Sequence, residues 1–481
     1  MAGLISYASY IPYYRLDRAT IRSVLGRGGG RGERAVASYD EDSATMGVAA
    51  AQQALSACWL TGPGDIDELL FSTSSPPYME KSNATTLHAA LNLDASVLAI
   101  DAGGSLSAAG PALRRAADSA ALGRTAVTVL ADVRSGRPGS ADESQGGDGA
   151  AAFVWANSES TIAELIGSAT RTLELLDRWR LPTWQHNRVW DERFVEAALL
   201  PSAREAADAA LESAALTPAD VHHLVISSSR TRVADQLRRD MTGEGAAVWA
   251  GDLLRDAVGY TGVADFGLSL VAALDVAGPN EVLLAVVIGD GAQAFVLRTA
   301  PTYGNYVPTT RLADQIAAKD AGLAYSSFLS WRGYLEMEPP RRPEAMPPAA
   351  PPSLRANGWK FGFVGAECGK CGTRQMPPSR VCSHCGAIDQ MTHVPMSRVR
   401  GRLMTYTVDH LSPQLVPTIG AIVDFDGGGR AQLEVTDADP ETLRVGDPVE
   451  MTFRRMYTAG GVHNYFWKAR PSQVPHEKEG R

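Results

Sequence analysis

Gly147-Asp-Gly-Ala-Ala-Ala-Phe-Val154 recurs as Gly289-Asp-Gly-Ala-Gln-Ala-Phe-Val296, and this repetition decides how most of the chain is read. Each copy ends in a strand-like run, and the second also follows one, Leu283 to Ile288. A second pair keeps the same order: Pro63-Gly-Asp-Ile-Asp-Glu-Leu-Leu-Phe-Ser-Thr-Ser-Ser75 resembles Pro218-Ala-Asp-Val-His-His-Leu-Val-Ile-Ser-Ser-Ser229. Ordered self-similarity marks a duplicated structural unit. Around these pairs, short apolar runs (Ala126–Ala131, Val282–Ile288) alternate with Ala-rich helical stretches (Ala108–Leu122, Arg204–Leu216). Such alternation predicts βαβ units, with helices on both faces of mostly parallel or mixed sheets. The fold class is therefore α/β, two pseudo-repeats at about 1–157 and 158–335 packing as α/β/α/β/α layers.

Length and charge bound the rest. The chain has 481 residues, with Lys+Arg 45 against Asp+Glu 54 and a formal charge of −9. At about 150 residues per domain this predicts roughly three folding units. An acidic surface does not attract nucleic acid or an anionic membrane. No run approaches the roughly 18 apolar residues of a membrane span, and the first residues lack a basic, then apolar, secretory signal. A cytoplasmic protein is expected.

Residues 337–353 hold seven of the 28 prolines, so 336–355 reads as an extended, semi-rigid linker. Beyond it stands Cys368-x2-Cys371-x10-Cys382-x2-Cys385, four of the five cysteines. Each Cys-x-x-Cys turn points two thiolates at one centre, and two such knuckles complete a tetrahedron with no open position. Gly369, Gly372 and Gly386 relieve strain in those turns. A structural zinc in a ribbon over 356–398 is expected, with iron in a rubredoxin-like site as its competitor. Strand-like runs at 401–408, 418–425, 431–435 and 449–454, parted by turn signals, predict a small closed antiparallel barrel over 399–471. The residues after Pro471 (472–481) are expected to be disordered. Cys58 stands alone in an Ala-rich stretch and reads as a packing residue. His222 and His223 have no ligand spacing, and the Gly26–Gly32 run reads as a surface loop.

Six stretches, taken together and in order, resemble the thiolase superfamily in its hydroxymethylglutaryl-CoA synthase-like branch. They are Asp40-Glu-Asp-Ser-Ala-Thr-Met46, Pro76-Pro-Tyr-Met-Glu-Lys-Ser-Asn-Ala84, Asp101-Ala-Gly-Gly-Ser105, Gly147-Asp-Gly-Ala150, Gly259-Tyr-Thr-Gly262 and Gly289-Asp-Gly-Ala292. The resemblance covers roughly residues 1–335. It implies a homodimer or higher oligomer acting on acyl-CoA thioesters. Claisen-type members use a cysteine nucleophile at a helix N-terminus, a histidine, a glutamate and an asparagine-containing oxyanion site.

Carried over residue by residue, the cysteine position is Leu106, the histidine Ser227, the glutamate Ser74 and the asparagine Tyr260. Leucine cannot be acylated, so an acyl-enzyme mechanism is not expected. Two readings follow. One is cysteine-independent carbon–carbon chemistry, such as retro-aldol cleavage of a β-hydroxyacyl-CoA, which needs a base and donors for the thioester enolate. Tyr260 or Tyr78 are the candidate bases, although a phenol starts near pKa 10 and needs strong lowering. The other reading is a catalytically silent subunit that holds acyl-CoA for an active thiolase partner, with Tyr260 filling a dead pocket.

The ribbon and barrel together resemble the zinc ribbon/OB-fold family called DUF35, including Pro377-Pro378 between the knuckles. That family associates with thiolases and synthases. Arg454, Arg455 and Lys468 are on this reading candidate contacts for CoA phosphates, or ordinary solvated charges.

Overall fold

The computed structural model describes residues 2–60, 62, 64–190, 192–242, 248–249, 251–338, 343, 345–411 and 415–472. The expected disordered tail falls almost wholly on residues 473–481, outside the described ones. Two compact units are distinguished: Met1–Ala37 with Asp42–Thr85 and Asp94–Tyr325, and Ser38–Glu41 with Thr86–Leu93 and Ser326–Arg481.

The first unit is built on ten strands: β1 (Ala2–Tyr10), β2 (Glu68–Ser72), β3 (Leu98–Asp101), β4 (Ala126–Asp132), β5 (Gly149–Asn157), β6 (Ala163–Thr172), β7 (His223–Ser228), β8 (Val248–Trp249), β9 (Val282–Gly289) and β10 (Gly291–Thr299). Their order is β8-β7-β9-β10-β6-β1-β5-β4-β2-β3. Read outward from the centre, the two halves are the same list: β1-β5-β4-β2-β3 and β6-β10-β9-β7-β8. The inner pairs are antiparallel and the outer ones parallel in both halves. The halves join through only two residue pairs, Gly3 with Glu164 and Leu4 with Ala163. The repeated Gly-Asp-Gly-Ala segments open β5 and β10, the equivalent strands.

Helices fill the layers. α1 (Ser43–Ser56) packs on β1, β4 and β5, and α3 (Glu192–Ser213) on β6, β9 and β10. α1 begins where Asp42 and Thr45 cap each other reciprocally. α2 (Ala109–Ala121) and α5 (Val263–Leu274) lie in the inner layer, and α4 (Thr231–Thr242) joins α3 outside. α5 is apolar almost all round, as a helix covered on both sides must be. Close packing demands glycine at Gly147, where a Cβ would stand 2.0 Å from the Val258 carbonyl oxygen. It also demands glycine at Gly259, which has φ +96° and would meet the Gly146 carbonyl. The two segments are tied by Tyr260 N–H to Gln145 O (2.8 Å) and Gly147 N–H to Tyr260 O (3.1 Å).

The second unit contains a three-stranded ribbon sheet, β11 (Val364–Cys368), β12 (Arg374–Gln375) and β13 (Met391–Pro395), ordered β12-β11-β13. It also contains a closed barrel of β14 (Gly401–Asp409), β15 (Thr418–Phe425), β16 (Arg430–Val435), β17 (Pro448–Ala459) and β18 (Val462–Pro471), ordered β14-β15-β16-β18-β17. β18 is the strand that turn signals alone leave unmarked. Phe363, Phe453, Tyr465 and Trp467 form the aromatic core. The linker departs from its expected extended form at Ala350–Arg355, a short helix. Its prolines sit in the first turn, where a missing N–H removes no intrahelical bond. No helix among the described residues is long and apolar enough to cross a membrane.

Candidate active site and metal centre

The first unit holds two adjoining cavities that share Arg134, Arg178 and Ser229. The narrower, of about 180 Å³, is lined by Tyr260 and Asp265 together with Arg18, Asp142 and Arg255. The wider, of about 890 Å³, is lined by Ser74, Tyr78, Lys81, Leu106, Arg180 and Asp290 among others.

In the narrow cavity, Asp265 stands in the first turn of α5 and accepts a 2.6 Å hydrogen bond from the Ser227 hydroxyl of β7. Burial pushes its carboxyl up to about 6, although the Ser227 bond, Arg255 and Arg134 favour the ionised form. Burial, and then the Asp265 charge, push the Tyr260 phenol well above its ordinary value. Removing the Tyr260 proton would set a second negative charge beside Asp265 in a poorly hydrated place, which works against the expected role of base. Arg178 is clamped to Asp142 by two 2.8 Å bonds.

Sequence reasoning missed Asp265. The available signal was that Asp265 is the single charged residue in the apolar run Val263–Leu274.

Between the cavities, buried Asp132 at the end of β4 is an acceptor for five donors. They are Thr73 Oγ1 (2.9 Å), Ser74 N (2.7 Å), Ser74 Oγ (2.7 Å), Ser75 Oγ (2.9 Å) and Val263 N (2.8 Å). Ser74, just past the end of β2, thus ties that strand end through Asp132 to the start of α5. Arg134 donates to Ser74 Oγ at 3.2 Å. Leu106 opens the short turn that leads into α2, with Ser105 capping it through Ser107 N–H. The helix start expected for a nucleophile is therefore present and carries a leucine. Tyr78 lines the wide cavity and Tyr260 the narrow one, so the two tyrosines do not share a wall. Cys58 lies just past α1, its thiol 3.6 Å from the Leu55 carbonyl oxygen. His223 is buried and meets Glu281 at 2.6 Å, a structural pair.

In the second unit the four cysteine sulfurs lie within 4.8 Å of one another. Cys368 and Cys385 are 3.7 Å apart, and Cys371 and Cys382 3.6 Å. Four thiolates about 2.3 Å from one zinc ion stand roughly 3.8 Å apart in a tetrahedron, so the residues fit the metal. They are the ligands of a structural zinc, whose chemistry there is to cross-link the two knuckles.

Arg454 and Lys468 do not meet the expectation of free cations for CoA phosphates. Each is 1% exposed. Arg454 pairs with Glu41 and Asp437, with Asp40 at 3.8 Å. Lys468 pairs with Asp40 at 2.9 Å and Glu434 at 2.7 Å. Burial works against the Lys468 charge, yet Asp40, Tyr39 and Glu434 outweigh it and hold the ammonium above its ordinary range. Half-buried Arg455 donates to the Tyr39 carbonyl at 3.0 Å. Removing one member of such a buried network strands its partners. Arg454→Met is expected to destabilise the second unit by about 3–5 kcal/mol, measured by denaturant unfolding.

The ribbon residues 362–388 match the family model described as the ChsH2 rubredoxin-like zinc ribbon domain, and residues 393–454 the ChsH2 C-terminal OB-fold domain. The N-terminal region is similar to hydroxymethylglutaryl-CoA synthase of Pyrococcus horikoshii, 30% identical over 296 residues, covering 60% of this chain and 83% of that protein. The same enzyme of Aeropyrum pernix is 28% identical over 344 residues, covering 69% and 95%. The chain belongs to the hydroxymethylglutaryl-CoA synthase family. Solved structures agree on the fold. An MvaS structure in complex with 3-hydroxy-3-methylglutaryl coenzyme A has a TM-score of 0.58 at 18% identity, covering 72% of this chain and 94% of that one. An HMG-CoA synthase complexed with CoA has a TM-score of 0.59 at 14% identity, covering 68% and 89%. A zinc ribbon and OB barrel are fused behind the synthase-like domain.

Proposed function

We propose that this chain makes or breaks a carbon–carbon bond beside an acyl-CoA thioester without a covalent acyl-enzyme. The observation that carries this reading is the pairing of Asp265 and Tyr260 in one cavity, next to a helix start that holds Leu106. In the cleavage direction, Asp265 takes the proton of a β-hydroxyl group. The Cα–Cβ bond breaks, the former β-carbon leaves as a carbonyl, and the electron pair passes to the thioester as an enolate. Tyr260 donates a hydrogen bond to the enolate oxygen, and the proton held by Asp265 returns to Cα. Proton count and charge balance, and no further reactant is required. Lys81 and Arg180, on the wall of the wide cavity, supply cations suited to CoA phosphates. A homodimer, with or without a thiolase partner, is the assembly this reading favours. The silent-scaffold reading rests on the same replacements at Leu106, Ser74 and Ser227.

The test is incubation of the metal-replete chain with acetyl-, β-keto- and β-hydroxyacyl-CoAs and mass spectrometry of the products. Shortened CoA esters and a released carbonyl compound are expected from the β-hydroxyacyl panel alone. No product from any thioester, with or without a thiolase, would overturn the enzymatic reading. Ser227→Ala removes a bond that favours ionised Asp265, so the acid limb of the pH–rate profile should move upward from about 6.

A further inference from the structure

The two Gly-Asp-Gly-Ala copies stand at equivalent places in the fold, yet their aspartates have different surroundings. Asp148 is fully buried, and its carboxylate accepts from the backbone N–H groups of Ala37 (2.7 Å) and Arg134 (2.7 Å), with Arg34 at 3.7 Å. That carboxylate is structural. Asp290, its counterpart at the turn between β9 and β10, is exposed on the wall of the wide cavity. Among the described residues no cation lies within ion-pair distance of it. Its carboxylate instead accepts from the hydroxyls of Ser105 and, at 3.1 Å, Ser107.

Ser105 lines the same cavity as Asp290, beside Gly103 and Gly104. Its Oγ lies 2.8 Å from Ser107 Oγ and accepts from Ser107 N–H at 3.3 Å, contacts that fix its direction. Capping uses a serine oxygen as an acceptor and asks nothing of its proton. Here the proton is directed to a carboxylate. A hydroxyl within hydrogen-bond reach of a base is the arrangement that activates a serine nucleophile. The turn that Ser105 caps leads into α2, and the partial positive charge of a helix start favours an oxyanion forming there.

We propose that Ser105 and Asp290 form a nucleophile–base pair that hydrolyses acyl-CoA thioesters, a second activity separate from the carbon–carbon chemistry. It rests on the acyl-CoA part of the reading above and not on Asp265. Asp290 takes the Ser105 proton as Oγ bonds to the thioester carbonyl carbon. The C–S bond then breaks, and the proton passes from Asp290 to sulfur, releasing free CoA. Water adds to the serine ester with Asp290 again as the base. The ester bond breaks, the proton returns to Ser105 Oγ, and the carboxylic acid leaves. Thioester and water give thiol and acid, with no other reactant.

The test uses the full metal-replete chain and butanoyl-CoA, which has no β-hydroxyl and so cannot undergo retro-aldol cleavage. Chromatography should find free CoA and butanoate forming above the chain-free control. Ser105→Ala should return the rate to that control, and Asp290→Asn should lower it by about 10²–10⁴-fold. A fluorophosphonate, which labels activated serines irreversibly, should modify Ser105 in the unaltered chain, located by peptide mass mapping. That readout stands even where thermal unfolding shows a variant to be misfolded. Hydrolysis that survives Ser105→Ala, or a label on another residue, overturns the pair. Free CoA no higher than the control also overturns it. Cleavage of a β-hydroxyacyl-CoA by the same preparation would then leave the carbon–carbon reading standing, and its absence would count against both.

Discussion

Replacing Asp265 with asparagine is expected to lower turnover of β-hydroxyacyl-CoA by about 10²–10⁴-fold, the range of a positioned general base. The fold should survive, because asparagine keeps an acceptor for the Ser227 hydroxyl. Stability should rise if anything. Burial pushes the native carboxyl up to about 6 from its ordinary 3.8, so near neutral pH the folded chain holds a charge that burial disfavours. A raised carboxylate pKa contributes stability when protonated and loses it as pH climbs between those two values. At pH 7 the asparagine variant can therefore gain up to about 3 kcal/mol, at 1.36 kcal/mol per pKa unit. Activity runs the other way. The base works only when ionised, so kcat/KM should increase through pH 6 and level off above it. Steady-state kinetics with denaturant unfolding on the same preparations checks both. Full activity in the asparagine variant, or an acid limb well below pH 5, would remove Asp265 from the reaction. Tyr260→Phe should lower kcat without moving that limb, as suits a donor that stays protonated.

Stripping the metal, or changing Cys382 to serine, is expected to unfold the ribbon around β11–β13. Structural zinc sites contribute about 10–16 kcal/mol of binding free energy near neutral pH, and in a module this small that is folding free energy. Amide hydrogen exchange should lose protection across 362–395, with the strands β1–β10 unchanged. Elemental analysis should find one zinc per native chain and none in the chelated form. A Cys382→Ser chain that kept stoichiometric metal and native exchange would overturn the assignment of all four thiolates to one ion.

The duplicated α/β fold and the metal ligands were legible from the amino-acid order. The repeated Gly147–Val154 and Gly289–Val296 segments open equivalent strands because a backbone that approaches another within about 3 Å tolerates only glycine. The four cysteines were legible because two tight turns over a short span leave their thiolates one common centre. The charged residues were not. Arg454 and Lys468 look like surface cations in sequence, and only the tertiary structure buries them against Asp40, Glu41, Glu434 and Asp437. That Asp265, from the neighbouring helix, shares a cavity with Tyr260 is likewise visible only in the tertiary structure. Sequence by itself therefore determined what repeats and what is covalently close: the strand–helix pattern, the turns and the zinc knuckles. Only the tertiary structure decided which carboxylate faces which cation or phenol, because desolvation and Coulomb terms depend on through-space distance and lost water.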